Sequence, residues 1–488
     1  MKKIILVPLD DRPCNLKFPV KIAASSGFQV VTPPRQYLGR FKEPGSPEKI
    51  ISWLEQTSVD ADSAIISADM LCFGGLIASR TPSVTFEEAE KRLLVVPRLK
   101  IKNPKLKIYL FSVLMRLSIS ADSEKNASVW RDVFEYSVVS DRSEKLGIPE
   151  DKKKLEELSA KIPEKVLSSY FSARKRNLSV NEACLALAGS ADLVVIAKED
   201  CAQFGPHKKE EARLKNLIKT MKIQGKTMIL NGADEIGMCL LARHILSVSA
   251  QSPKIAVRYS FGKGRDISLY EDEPLDKVVS DHIDLVGAIR IEALKDVQKV
   301  FFVHSFEGQQ SDLVFSGEVA RSSDQEHHLK NFCSEIVMMG EIGREMYVAD
   351  VFYANGSDRD FLEKLSELGD LKALLSYAGW NTSANSVGSA LSAAFVPKNK
   401  GFVFERYVED LGYQAVVRKH LEAFLAEKGI SRFDLGDRAV EAENYAAAGL
   451  KKWAGSFFPK IGIKNDLEIK ISFPWARTFE ADCDIIFP

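Results

Sequence analysis

A surplus of either charge is missing from this 488-residue sequence: 67 Lys and Arg stand against 67 Asp and Glu, a formal net charge of zero. Nucleic acid and anionic membrane surfaces select a net basic field, so neither is an expected partner. Cysteine is scarce and scattered, at Cys14, Cys72, Cys184, Cys201, Cys239, Cys333 and Cys483, with no CxxC pair. This spacing excludes a zinc ribbon or a thioredoxin-type motif, and odd, unpatterned thiols fit a reducing compartment. No apolar run reaches the roughly 18 residues that mark a membrane-spanning helix. The apolar start at residues 1–9 is short for a signal peptide and runs straight into Asp10-Asp11-Arg12, so a cytoplasmic protein is expected.

Several familiar motifs are also missing. No GxGxxG follows the first apolar run, which disfavours a dinucleotide-binding lobe, and no GxSxG marks a nucleophile elbow. Gly262-Lys263-Gly264 lacks the spacing and the Lys-Ser/Thr ending of a phosphate-binding loop. HExxH is absent, and His327-His328, beside Asp324 and Glu326, reads as a solvated helix start. His304, at the end of an apolar run, reads as a hydrogen-bonded structural histidine.

What is present is an alternation. Short apolar runs at 3–8, 29–32, 63–67, 107–113, 192–197 and 227–230 are separated by helical stretches such as 47–55, 86–94 and 208–220. Continuous apolar runs are the mark of parallel strands buried on both faces, and the alternation predicts an α/β fold. A charged, helix-rich insertion occupies about 122–181, with alternating charge signs over 151–161 that read as a solvated face. After 246 a small-residue linker at 247–253 suggests a domain boundary, and a second strand series follows at 254–259, 287–291, 299–304, 347–353 and 371–377. Helices are expected at 326–339, 358–368 and 383–394, a helical region over 401–454, and strand-like segments at 467–473 and 483–487. The preferred architecture is two doubly wound parallel-sheet lobes, 1–246 and 254–400, with a cleft between them and a third region, 401–488. The alternative is one (β/α) barrel with insertions. No repeat of fixed period is evident.

Parallel α/β folds bind ligands at the carboxyl ends of their strands. Those ends deliver Asp10, Asp11 and Arg12; Asp69, Gly74 and Gly75; Arg116; Glu199, Asp200 and His207; and Asp234 and Glu235. Asp10, Asp11, Asp69, Asp200 and Asp234 are expected to share one cleft. Asp200 and Asp234 are the preferred catalytic acids, on the expectation that their strands are central, with His207 orienting Asp200 and Asn231 orienting Asp234. Asp10 and Asp11 complete the catalytic set. Arg12 and Arg116 hold ionised carboxylates, and Gly74 or Gly75 brings backbone N–H groups to the ligand. In the second series, Asn355 follows a strand, and Trp380, Asn381 and Asn385 precede or begin a helix. Asn and Ser are good caps. An indole beside amides is equally what sugar recognition uses, the ring stacking on a pyranose while the amides bond hydroxyls.

The segments VPLDDRPCN, SADMLCFGGLIASR, KEDCAQFGPHKKE, NGADEIGMCLLAR, VFYANGSD and AGWNTSANSVGSAL, with the closing FPWARTFE, occur in an order that resembles a bacterial family known as domain of unknown function 4127. The resemblance spans nearly the whole chain. It implies that the motif-bearing loops belong together, and it supplies no reaction.

The residues themselves suggest a carbohydrate-active hydrolase, a glycosidase with paired carboxylates and no cofactor, acting on a small-molecule or oligosaccharide substrate. A divalent-metal-dependent isomerase or hydrolase is the alternative, with Asp69, Asp200, His207 and Asp234 around Mg²⁺, Mn²⁺ or Zn²⁺. A non-catalytic sugar-binding protein is a third reading.

Overall fold

A computed structural model describes residues 2–24, 26–250, 252–369, 371–396, 400–463 and 467–486. The chain divides into two compact units, Met1–Leu240 with Tyr270–Asp272, and Leu241–Leu269 with Glu273–Pro488. The division falls inside the helix Ile236–Val248, not in the 247–253 linker, and residues 401–488 belong to the second unit.

In the first unit six parallel strands, β1 (Lys2–Val7), β2 (Phe28–Val31), β3 (Ser63–Ser67), β4 (Lys107–Leu114), β5 (Leu193–Lys198) and β6 (Thr227–Asn231), lie in the order β2-β1-β3-β4-β5-β6. Alternate residues of the strands, Ile5, Val7, Ala64, Ile66, Ile108, Leu110, Val194 and Ile196, point to one face. There they form a core with Leu54, Leu93, Leu99, Leu185, Leu214 and Ile218 from the crossover helices. On the other face, the chain leaving β6 returns across the sheet: a Cβ built on Gly237 would lie 3.7 Å from Leu6 and 3.8 Å from Phe111. Helices therefore cover both faces, which is why the strands read as continuously apolar.

The charged insertion forms three helices, Glu124–Leu146, Pro149–Lys161 and Glu164–Ala186. A small core of its own joins Val133, Leu158, Ile162, Tyr170 and Ala173 to Met115. The insertion also fixes the loop after β4, because Arg174 donates to the carbonyls of Met115 (2.7 Å) and Arg116 (2.9 Å).

The second unit contains β7 (Lys254–Tyr259), β8 (Ile289–Arg290), β9 (Lys299–His304), β10 (Ser311–Asp312), β11 (Glu345–Asp350), β12 (Tyr353–Ala354), β13 (Leu374–Ala378), β14 (Glu468–Ser472) and β15 (Asp482–Ile486). Five form a parallel sheet in the order β13-β11-β9-β7-β8, β10 pairs with β12, and β14 with β15 in an antiparallel hairpin. Of the expected 483–487 strand, residue 487 lies outside the described residues. Read from β8, the five-stranded sheet has the strand order of the first five strands of unit one. Each sheet thus reverses direction between its first and third strands, a repeat of topology without a repeat of sequence. Two open sheets replace the barrel alternative. The C-terminal helical region comprises Lys400–Arg406, a π-helix over Tyr407–Val417, Arg418–Glu427 and Ala439–Phe457.

Among the described residues no helix is long and apolar enough to cross a membrane, and none of the seven buried cysteines forms a disulfide.

Candidate functional site

The acids expected at the strand ends of unit one lie at the carboxyl edge of its sheet, in three groups. Arg12 organises the first. Its Nε and Nη2 donate to Asp10 Oδ2 (2.9 and 2.6 Å), while Nη1 and Nη2 donate to Asp234 Oδ2 and Oδ1 (3.0 and 2.5 Å). Asn15 donates to Asp10 at 2.9 Å. All four side chains are buried. Burial and the neighbouring charge of Asp10 raise the Asp234 carboxyl above its ordinary range, against the pull of Arg12. Asp11 lies beside the group and meets Arg35 at 3.6 Å. Glu235, also buried, accepts from the Ala233 N–H at 3.2 Å.

The second group joins β3, β4 and β5. Ser67 caps the short helix Ala68–Phe73 by accepting from Met70 N–H, which holds Asp69 in the first turn. Asp69 is 2% exposed and accepts from the Val113 N–H of β4 at 2.9 Å. Its carboxyl is pushed up to about 7, first by burial and then by the charge of Glu199, with Arg176 opposing. Glu199, 7% exposed, pairs through Oε1 with Arg80, and Arg116 lies 4.0 Å from the same oxygen. Glu199 Oε2 is buried with no hydrogen-bond partner among the described residues. Asp200 turns the other way, half-buried and paired with Arg116, on a backbone with φ of 35°.

The third group was only half visible in the sequence. Asp272 accepts from Lys198 (2.7 Å), Asn231 (2.9 Å) and Lys208 (2.5 Å), and its Oδ2 lies 3.2 Å from His207 Nε2. These cations and hydrogen bonds hold the Asp272 carboxyl far below its ordinary range in spite of burial. Burial lowers His207 below its usual value, so the ring is neutral at physiological pH.

Four expectations are corrected here. His207 and Asn231 do not orient Asp200 and Asp234; both are partners of Asp272. The strands before Asp200 and Asp234 are not central, since β6 is an edge strand, β5 its neighbour, and β3 and β4 hold the centre. Asp234 still reaches Arg12 because the chain folds back over the sheet after β6. Gly74 and Gly75 do not offer N–H groups to a ligand: they donate to the Met70 carbonyl (3.0 Å) and the Asp69 carbonyl (3.3 Å) at the end of helix Ala68–Phe73. A side chain on Gly74, at φ of 83°, would also strike Gly45 N at 2.5 Å. Finally, Asp69, Asp200, His207 and Asp234 do not assemble as metal ligands. Among the described residues, the ligand atoms that do cluster, within 4.8 Å, are those of Cys201, His207 and Asp272. Two ammonium groups already occupy that carboxylate, and a divalent cation there would face both.

In unit two the WNTSAN segment is mostly turned inward. Trp380 is 4% exposed and packs on Phe479, with ring centroids 5.7 Å apart, so it is no open stacking platform. Thr382 caps the helix Ser383–Phe395. Asn385 donates to the Trp380 carbonyl at 3.0 Å, and Asn355 donates to Asp312 at 2.7 Å. The Asn355 N–H bonds the Asn381 carbonyl at 2.9 Å, and both residues have left-handed backbones, φ 64° and 70°. Trp380 Nε1 and Asn385 Oδ1 are buried without hydrogen-bond partners among the described residues, a donor and an acceptor left over by the fold.

Sequence reasoning named Glu199 but preferred its neighbour Asp200, and it passed over Lys198 and Asp272. Lys198 and Glu199 stand in the quoted KEDC segment, but Asp272 follows the linker and carried no signal.

A family model described as "Protein of unknown function (DUF4127)" matches residues 4–484. The chain belongs to this family. No curated protein and no solved structure matches it. The match includes all three groups of the family member described here, so the whole carboxyl edge of the first sheet falls within the family's span.

Proposed function

We propose that the protein is a carbohydrate-active hydrolase of the glycosidase class, in which Asp69 is the general acid and Glu199 the ionised carboxylate. The observation that carries this reading is the Asp69–Glu199 pair. Glycoside hydrolysis needs one carboxyl that keeps its proton near neutral pH and a second that is ionised as base or nucleophile. Asp69, at about 7, meets the first condition. Glu199 is placed for the second: Arg80 pairs with its Oε1, Arg116 lies 4.0 Å from the same oxygen, and Oε2 has no hydrogen-bond partner among the described residues. Both lie at the carboxyl edge of central or near-central strands, where open parallel sheets bind ligands. The Arg12 clamp on Asp10 and Asp234 is a neighbouring rigid wall in this reading. The substrate is a small glycoside or oligosaccharide, and nucleic acid is not a partner, in keeping with the even charge balance. The protein works in the cytoplasm, in keeping with its lack of disulfides.

The test is a panel of aryl glycosides with good and poor leaving groups. The wild type hydrolyses at least one sugar. Asp69→Asn loses roughly 10²–10⁴-fold on poor leaving groups, the scale of positioned proton transfer, and much less on a dinitrophenyl glycoside that needs no acid. Glu199→Gln loses activity on both. No hydrolysis across the panel by folded wild type, or wild-type rates in both variants, overturns the proposal.

A further inference from the structure

The second sheet has its own reversal point, between β7 and β9, and the residues that close those two strands are Ser260 and His304. His304 is fully buried at the end of β9. Its ring is sandwiched between Phe361 and Phe352, with centroids 4.2 and 5.1 Å away, the latter at an interplanar angle of 9°. Its two nitrogens face different partners: Nε2 lies 2.7 Å from Asp358 Oδ2, and Nδ1 lies 3.0 Å from Ser260 Oγ.

The protonation pattern follows from the partners. Asp358 also accepts from Arg321 and, as the cap of the helix Arg359–Leu368, from the Asp360 N–H, so its oxygens act as acceptors toward every neighbour. His304 Nε2 must therefore carry the hydrogen. Burial lowers His304, so the ring is neutral and Nδ1 is a free lone pair directed at the serine hydroxyl. Ser260 Oγ also accepts from the Ser305 N–H at 2.9 Å, which fixes its rotamer, and its one hydrogen has two acceptors in reach, His304 Nδ1 at 3.0 Å and the Ser305 carbonyl, to which it can donate at 3.2 Å. Ser260 itself is half-buried, unlike the histidine behind it.

The chain just beyond Ser260 is strained. Gly262, Lys263 and Gly264 have φ of 58°, 53° and 69°, three left-handed residues in succession, one of them a lysine. Such outliers persist only where surrounding structure holds them, and they gather at sites of function. Here the turn is pressed against the next loop, since a Cβ on Gly262 would lie 2.9 Å from the Phe306 carbonyl oxygen.

We propose that Ser260, His304 and Asp358 form a nucleophilic relay, a second catalytic site whose substrate is a carboxylic ester. Serine, neutral histidine and carboxylate in hydrogen-bonded series are recognised by geometry and role rather than by sequence position, so the missing GxSxG elbow does not bear on it. In the first step Ser260 Oγ adds to the ester carbonyl while its proton passes to His304 Nδ1. The carbon–oxygen bond to the alcohol then breaks, and that proton leaves with the alcohol. Water, giving a proton to the same nitrogen, cleaves the acyl-serine and restores Ser260 as the acid departs. Asp358 holds the ring in the required tautomer and stabilises the transient imidazolium. This inference is independent of the glycosidase reading, because it uses neither Asp69 nor Glu199.

The experiment uses the full-length protein, an alkyl fluorophosphonate that captures activated serines, and p-nitrophenyl acetate. The expected result is one phosphonyl adduct per chain, mapped by mass spectrometry to Ser260, with parallel loss of acetate-ester hydrolysis. S260A should take up no adduct while keeping the wild-type melting temperature within a few degrees. H304Q should slow labelling by at least about 10²-fold. Should H304Q fail to fold, the wild-type and S260A results decide alone. No adduct on wild type, an adduct on another residue, or equal labelling of S260A overturns the proposal, whatever the aryl-glycoside panel shows.

Discussion

Replacing Asp69 with asparagine removes one titrating proton from the interior and leaves the shape nearly unchanged. The acid accepts a hydrogen bond from Val113 N–H, and an amide oxygen can accept the same bond. The thermodynamic consequence is calculable. Asp69 rises from an ordinary 3.8 to about 7 on folding. At about 1.4 kcal/mol per pH unit, that shift is worth on the order of 4 kcal/mol. Its sign is set by proton counts. Between about pH 4 and pH 7 the folded protein keeps a proton that the unfolded chain has released, so rising pH favours unfolding across that window. Below it both states hold the proton, and above it neither does. Urea denaturation of wild type and Asp69→Asn from pH 4 to pH 8 isolates this group, because every other titration is common to both. The two should agree within about 1 kcal/mol near pH 4, and the variant should be the more stable by roughly 4 kcal/mol near pH 8. A difference that stays flat across the range would refute the assignment of Asp69 as a buried, protonated acid.

Three further outcomes follow from the groups around it. Arg12→Lys keeps a positive charge but cannot serve Asp10 and Asp234 together, and should cost about 2–4 kcal/mol in chemical denaturation. Asp272→Asn leaves the buried Lys198 ammonium with the more distant Glu211 carboxylate, at 3.3 Å, in place of Asp272 at 2.7 Å and should cost about 2–4 kcal/mol at pH 7. Because folding depresses the Asp272 carboxyl, its contribution is present above the unfolded value and lost in acid, so the deficit of the variant should shrink below about pH 4. Asp200→Asn should cost only about 1 kcal/mol, since asparagine tolerates the left-handed backbone and only a half-buried pair with Arg116 is lost. Glycoside hydrolysis by that variant within about tenfold of wild type is expected, and a loss of about 10²-fold or more would restore Asp200 as the acid.

The strands were legible because both faces of each sheet are covered, which turns the strand pattern into apolar runs. Runs at 63–67, 254–259 and 299–304 coincide with β3, β7 and β9 to the residue. The weakest was 287–291, which shrinks to the two residues of β8 at a sheet edge, where Ile289 is exposed. Strand order was not legible, being a property of which strand pairs with which; hence β6 was expected at the centre and lies at the edge. Within the site, each acid directly after a strand was found, but the choice within Glu199-Asp200 was not. The positive φ at Asp200 decides it, turning that side chain toward Arg116 and leaving Glu199 paired with Arg80. Asp272 could not be found at all, because nothing in Tyr270-Glu271-Asp272 announces that it returns to the first unit.

The arrangement at the first sheet is more expensive than the fold requires, and the expense is specific. The hydrogen bond that Asp69 accepts from Val113 could be accepted by an uncharged amide at every pH, without the pH-dependent penalty just described. The Arg12 clamp buries two carboxylates and one guanidinium where a packed apolar trio of similar size would serve stability as well or better. Neither choice is explained by capping. Asp69 lies in the first helical turn, but Ser67 already performs the cap. Removing one carboxyl from water, burying a second near it, and leaving one oxygen of that second acid without a hydrogen-bond partner among the described residues is a poor way to hold strands together. It is a serviceable way to keep a proton and a negative charge a short distance apart near neutral pH. If that separation serves chemistry, stabilising the protein and disabling it should be the same experiment. Asp69→Asn, above about pH 7, is expected to raise the denaturation midpoint while lowering glycoside hydrolysis by roughly 10²–10⁴-fold on poor leaving groups. A variant that gains stability and keeps its rate would show that the buried proton has no catalytic use.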